Sequence, residues 1–350
     1  MASQASLLGK RSKRSAETGV WAAALIGFVL ICATLVPAFA QSAPPFEGPW
    51  TEPHFRDHPL VGRVFQGSGQ PVAWEKVTKS IQSADLVVVG ETHDNTDHHA
   101  VQALVAQVLR DRAKLHTVVW EMVSLRLQPA LDQFAKGTID SEDLEAALEW
   151  EKRGWGAFDT RLPLFKLAKE DGAFLLSGNA NRDTVRAIGR NGRAALPDRL
   201  AKSAGFAFPF DDQQQKTLLA DMATSHCNML PEKLLPNLAL VQRLRDGLMA
   251  RQAIDSIMDG TNNSAGLVIT GNGHARKDRG VPYFAKQINS GAFQTVIGLI
   301  DVAKGKNAFA DYPLTDENGA PLYDFVLFTP AASVGDPCEE MRKMMKQRKN

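Results

Sequence analysis

Leu86-Val-Val-Val-Gly-Glu-Thr-His-Asp-Asn-Thr-Asp-His-His99 is the stretch from which the fold of this chain can be read. From Asp85 to Gly90 four apolar, β-favouring residues follow one another with no polar alternate before a turn residue, the pattern of a fully buried parallel strand. Glu91 and His93 fall just past its carboxyl end, where open α/β sheets place their ligands. Beyond the turn, Val101, Leu104, Val105, Val108 and Leu109 share one face of a helix, which Asn95 or Thr96 could cap. The unit is strand, loop crowded with acids and imidazoles, helix.

The same device recurs far down the chain. Gly266-Leu-Val-Ile-Thr-Gly271 is another short apolar strand, and Asn272-Gly273-His274 follows it. Each turn has the form Gly-x-x-His, and two copies that each end a buried strand point to one shared site. His116-Thr-Val-Val-Trp-Glu121 also closes on an acid, and Ala173 to Gly178, Gln294 to Ile300 and Tyr323 to Phe328 read as further strands. Strands alternating with helices predict an α/β fold with a parallel β/α core sheet, its strands ending at Gly90, Glu121, Gly178 and Gly271. Ahead of it, Val61 to Val72 suggests a small hairpin and Trp74 to Gln82 a short helix. Ser124 to Ala168 and Arg182 to Met258 are helical in pattern, the second too long for one crossover, so a helical subdomain is expected from them. Trp150 and Trp155, around Gly154, are expected in the core, with a pocket wall as the alternative.

The chain has 350 residues, 44% hydrophobic and 23% charged, the composition of a globular protein. Its first forty residues are a separate object. Lys10, Arg11, Lys13 and Arg14 precede an apolar run from Val20 to about Val36, and Ala38-Phe39-Ala40 supplies a small-x-small cleavage pattern. This predicts a signal peptide over 1–40, cleavage before Gln41 and a periplasmic protein; an uncleaved anchor is the alternative. Cys32 follows Ile31 where a lipoprotein signal wants a small residue, so a lipid anchor is disfavoured. Loss of four basic residues and Glu17 moves the net charge from +1 to −2, which gives no electrostatic reason to expect nucleic acid. Cys227 and Cys338 remain and could pair in an oxidising compartment. The predicted organisation is a loosely held lead-in over 41–60, an α/β domain over 61–338 and a basic tail over 339–350.

If the strand ends lie side by side, Glu91, His93, Glu121 and His274 converge on one pocket. Two imidazoles with carboxylates suit a divalent metal such as Mn, Co or Zn with a position open for water. Without a metal, the same groups supply a histidine base oriented by a carboxylate. The zinc spacing His-Glu-x-x-His is absent.

Gly90-Glu-Thr-His93-Asp with His98-His99, then Glu121-Met122, then Gly271-Asn-Gly-His274-Ala-Arg276 running into Gly280-Val-Pro282, resembles the ChaN-like haem-binding proteins of the Tiki superfamily. Ser225-His226-Cys227, Gln242 with Arg245-Asp246 and Met249-Ala250, and Asp336-Pro337-Cys338 add to the resemblance, which covers about Val61 to Cys338. It implies a parallel β/α core, a cell-envelope location and a role in haem or iron uptake. It implies haem as cofactor, with His93, His98, His99, His274, Arg276 and Tyr283 as the residues to hold it. The partners implied are haem or another small molecule and an outer-membrane haem or iron uptake system, with a homodimer left open. More distant relatives resemble metal-dependent peptidases and an esterase that use the glutamates and histidines of the two turns, which makes a divalent-metal hydrolase the alternative. The chain departs from the family in two places. It lacks the lipobox, and Arg161 stands where the family carries a tyrosine two positions before the proline matching Pro163; Tyr283 is then the nearest substitute phenolate, although a packed tyrosine is the reading favoured for it.

Overall fold

The run Leu86–Glu91 is a strand buried along its whole length, β3, because an apolar run with no polar alternate must be covered on both faces. The computed structural model describes residues 49–342 apart from 203, 262, 336, 337, 340 and 341; the predicted leader, residues 41–48, the Asp336-Pro337 pair and residues 343–350 of the tail lie outside the described residues. Its other strands are β1 (Val64–Gln66), β2 (Pro71–Val72), β4 (Leu115–Ser124), β5 (Phe174–Asn179), β6 (Ala265–Gly271), β7 (Gln294–Asp301) and β8 (Phe325–Thr329). They form one sheet in the order β2-β1-β8-β7-β3-β6-β4-β5. From β8 to β5 every pairing is parallel, and the hairpin of β1 and β2 joins that sheet antiparallel to β8. The α/β expectation and the side-by-side placement of the four strand ends hold. One strand is longer than predicted: β4 runs on to Ser124, since Met122 and Val123 are as buried as the residues before them.

The register brings the two Gly-x-x-His turns together. In the β3–β6 pair Val88 lies opposite Val268 and Glu91 opposite Gly271, while β4 flanks β6 on its other side with Trp120 opposite Ile269. Alternate residues of the strands feed two cores. Val87, Val89, Trp120 and Ile269 face one, with helices α1 (Trp74–Ser83), α2 (Thr96–Arg110), α3 (Gln128–Ala135), α4 (Ser141–Ala147), α5 (Trp150–Arg153) and α6 (Leu162–Glu170); the Phe165 ring stacks on Trp120 at 3.7 Å. Val88, Val119 and Val268 face the other. The helices that follow are α7 (Arg182–Asn191), α8 (Asp198–Ala201), α9 (Ala204–Ala207), α10 (Asp212–Ser225), α11 (Leu235–Asp259) and α12 (Val281–Ile288). The later part of α11, through Met249, Ala253 and Ile254, and α12, through Phe284, close that second face. The earlier part of α11 packs Val241 and Leu244 against Ile188, Leu196 and Leu200 in a third, smaller core. The helices of 124–168 therefore cover one face of the sheet and the later part of α11 the other, because each lacks a core of its own and borrows the sheet's. No helix among the described residues is long and apolar enough to cross a membrane.

Asn95 caps α2, its side-chain oxygen accepting from the His98 N–H at 3.2 Å. The described part of the lead-in is not loose. Asp97 accepts from the backbone N–H of Thr51 at 2.7 Å and of Glu52 at 3.0 Å, and Glu52 accepts from the N–H and hydroxyl of Thr96, both at 2.6 Å. Two carboxylates at the start of one helix find their donors across that junction, an interaction the helix dipole favours. Cys227, just beyond α10, and Cys338 form a disulfide, Cα–Cα 5.4 Å.

Gly90 is required by close approach. A Cβ there would lie 2.4 Å from Asn272 Oδ1 and 2.9 Å from Ala275 Cβ, both in the neighbouring turn. Gly90→Ala should therefore destabilise the protein by about 1–3 kcal/mol through overpacking. Urea unfolding should show a lower midpoint at unchanged m; an unchanged midpoint would mean the two turns can separate at no cost.

Candidate functional site

Glu91, at the carboxyl end of β3, is 2% exposed and meets three donors. His93 Nδ1–H donates to Oε1 at 2.7 Å, and Gln102 Nε2 and an Arg161 terminal nitrogen donate to Oε2 at 2.6 and 2.9 Å. Arg161 also donates to the His93 carbonyl at 2.7 Å and lies over the Trp150 ring at 5.6 Å. Burial by itself would raise the Glu91 carboxyl, but the Arg161 guanidinium and the His93 imidazole outweigh it and hold the pKa at about 2.

Glu121 is the second buried carboxylate, 1% exposed. Its Oε2 accepts from the Thr270 hydroxyl and the Gly271 N–H, each at 2.7 Å, and its Oε1 pairs with Arg245 and with His274 Nε2 at 3.3 Å. His274 Nδ1–H in turn donates to Asp246 on α11 at 2.6 Å. Burial pulls the His274 pKa down, and the two carboxylates more than offset this, raising it to about 9. For Glu121 the cost of burial is overcome by His274 and Arg245, which keep it well below the usual carboxylate range.

His93 links the two centres. Its Nε2 lies 3.9 Å from Glu121 Oε1 with no hydrogen-bond partner among the described residues, and its side chain is 36% exposed. Gly271 leaves room for the ring, since a Cβ there would fall 3.0 Å from Nε2. The ring meets Trp155 edge-on at 4.9 Å. Burial lowers the His93 pKa, and Glu121 and Glu91 reverse the sign, so the net shift is upward. Trp155 and Arg245 then lead into a cleft of ≈ 250 Å³ lined also by Arg153, Asn179, Ala180, Arg182 and Val185. Of the two tryptophans, Trp150 is core, 1% exposed, and Trp155 is the pocket wall.

Glu91, His93, Glu121 and His274 thus meet as predicted. Four other candidates are engaged elsewhere. His98 is fully buried, its Nδ1 accepting from the Thr92 N–H at 2.9 Å and its Nε2 bonded to Thr329 at 2.8 Å. His99 is 3% exposed and spends its nitrogens on the Thr160 hydroxyl and the His93 carbonyl. Arg276 is tied to Asp221 and Asp278, and the Tyr283 hydroxyl donates to the Pro209 carbonyl beside the Phe210 ring. A compact metal centre is not assembled either. No group of three or more His, Cys, Asp or Glu among the described residues is placed to hold a metal, because the oxygens of Glu91 and Glu121 are already committed to arginine, glutamine, threonine and backbone donors. Gln102 and Arg161 are the cluster members that reading by motif misses; a signal for Gln102 is a polar residue among the apolar positions of α2.

The pKa shifts fix how stability depends on pH. His274, raised, contributes stability that is complete below 6.5 and is lost as pH rises through about 9. Glu91, lowered, contributes stability that is present above 4.5 and lost as pH falls through about 2. His98 works the other way, since burial holds its pKa near 3 and keeping it neutral costs stability as pH falls below 6.5. On the alkaline side the raised histidines dominate. The melting temperature followed by circular dichroism should fall between about pH 7 and about pH 10, and fall less in Glu121→Gln, which removes a carboxylate both imidazoles face. An equal fall in the two proteins would contradict the pairing.

Residues 77–284 match the family described as haem-binding uptake, Tiki superfamily, ChaN. No curated protein sequence matches the chain. Among solved structures it is similar to ChaN of Campylobacter jejuni, described as showing cofacial haem binding, at 22% identity over 75% of this chain and 95% of that one, TM-score 0.57. It also aligns with a mutant of erythromycin esterase EreC in its open conformation, at 13% identity over 79% and 99% of the two chains, TM-score 0.43. The type III effector HopBA1 aligns at 14% identity over 81% and 99%, TM-score 0.38. With the matched stretch running from α1 into α12 and taking in every residue of the glutamate–histidine cluster, this chain belongs to the ChaN haem-binding uptake family of the Tiki superfamily.

Proposed function

We propose that this protein binds haem through His93 and serves haem or iron uptake at the cell envelope, exported by its N-terminal leader. Family membership supports the ligand. The observation that carries the site is the state of His93, which has one nitrogen anchored and the other free: Nδ1–H is held by Glu91 at 2.7 Å, Nε2 takes no hydrogen bond among the described residues, and the ring meets Trp155 edge-on. Protein imidazoles that ligate metal ions have this arrangement, in which a carboxylate fixes the tautomer and ring orientation of the donor. The donor set fits an iron porphyrin better than it fits a bare hydrolytic metal, which needs several open ligands in one place. Arg161, in the position where a family-type phenolate would stand, is 1% exposed and gives its two terminal nitrogens to Glu91 and the His93 carbonyl, so it supports the cluster from below. Haem, when bound, supplies the iron; the chain's part is to present one neutral imidazole, a flat indole and a charged rim.

Haemin titration of the chain starting at Gln41, at about pH 8 to favour the neutral imidazole, should give a saturable Soret shift. His93→Ala should weaken it about tenfold or more, about 1.4 kcal/mol. Tyr283→Phe should leave it unchanged, since that hydroxyl is bound to Pro209. No saturable shift would end the haem reading, and a saturable shift insensitive to His93 would end the assignment of the iron ligand to that residue. Export has its own test: intact mass of the protein from a periplasmic extract should correspond to a chain beginning at Gln41, and a retained leader or a lipid adduct would overturn that location.

A further inference from the structure

The cleft past Trp155 has a one-sided charge. Arg153, Arg182 and Arg245 line it, and none of its described lining residues is acidic. Arg153 reaches the Met122 carbonyl at 3.2 Å and the Ser124 hydroxyl at 3.3 Å, both neutral. Arg182 is exposed and has no ion-pair partner among the described residues. Arg245 gives one terminal nitrogen to Glu121, while its Nε and the Nε1 of Trp155 are buried N–H donors with no acceptor among the described residues. Burial, with the nearby Arg126, Arg182 and Arg245, pulls the Arg153 pKa down against the opposing effect of Glu149. Next to Arg182 the first turn of α7 lacks a side-chain cap, because the Asn181 oxygen is given to the Arg126 N–H at 2.9 Å. Clustered guanidinium groups, orphaned donors and an uncapped helix start are each unfavourable alone, and one anionic group would relieve all three.

Size says what kind of anion. At ≈ 250 Å³ the cleft is smaller than the ~300–1,000 Å³ of sites that enclose a whole ligand, so it suits an acidic edge and not a macrocycle. We propose that the Arg153–Arg182–Arg245 cleft is a carboxylate subsite that receives the acidic side chains of the porphyrin whose iron-bearing face meets His93. This rests on the haem reading and adds the feature that orients the ring. Planar guanidinium groups match carboxylates in two-point contact, and Arg182, whose side chain bonds nothing among the described residues, is the residue free to make it.

The test compares haemin with haemin dimethyl ester, in which both carboxylates are masked, on the chain from Gln41 and its Arg182→Gln variant, read by the Soret band and by quenching of tryptophan fluorescence. Wild type should bind the diester about tenfold more weakly than haemin, and Arg182→Gln should weaken haemin while leaving the diester unchanged. Equal affinity for the two ligands, or an equal loss of both in the variant, would overturn the subsite while leaving the haem reading intact. Failure of haemin itself to saturate would remove both.

Discussion

An ionised carboxyl withdrawn from water must be met by donors from the protein, and Glu91 imposes that demand at the centre of this fold. Its partners come from three directions: His93 from its own turn, Gln102 from α2, and Arg161 from the residue before α6. Both helices must therefore pack in one position for the strand end to be tolerable. The pairing adds little net stability, because desolvation of the ions offsets most of their attraction, but losing a partner would strand a buried charge at a cost of about 3–5 kcal/mol. The arrangement specifies geometry more than it strengthens the fold. Through His93 the same demand passes to Glu121, and from there to Arg245, His274 and Asp246.

The sheet places this cluster where the chain parts. β3 and β6 are parallel neighbours, yet α2, which follows β3, packs on one face and α12, which follows β6, on the other. Turns that diverge from adjacent strand ends leave a crevice between them, the position at which open α/β sheets bind ligands. Glu91 and Gly271 face each other across it, and two glycines keep it narrow: Gly90 admits Asn272, and Gly271 admits the His93 ring.

The strands were legible because Val87-Val88-Val89 and Leu267-Val268-Ile269 are unbroken β-favouring runs, which few other structures would bury. Glu91, His93, Glu121 and His274 were legible for a related reason, since a residue ending a parallel strand has its location fixed by the sheet. Residues on helices carried no such address. His98 and His99 are neighbours in sequence, but successive positions on a helix point about 100° apart, and each found different partners. Gln102 and Arg161 joined the site only through how α2 and the turn before α6 pack, which depends on contacts distant in sequence. Arg276 and Tyr283 lie close to His274 along the chain and yet turn toward Asp221 and Pro209. The lead-in, polar and rich in proline, gave no sign that Asp97 would hold its backbone.

The Cys227–Cys338 bridge closes a covalent loop with a sequence separation of 111 residues, which holds α11, β6, α12, β7 and β8. Asp246 and His274 lie inside that loop; Glu91, His93 and Glu121 lie outside it. The cluster is thus assembled from a tethered half and an untethered half. Since Cys338 follows every element inside the loop, the tether cannot form during synthesis until all of them have been made. Until then the half carrying Asp246 and His274 keeps the larger conformational freedom of an open chain, and closing a loop of that length removes entropy worth about 5 kcal/mol from the unfolded ensemble. Thiol oxidation is in this sense the step that commits the second half of the cluster to the first.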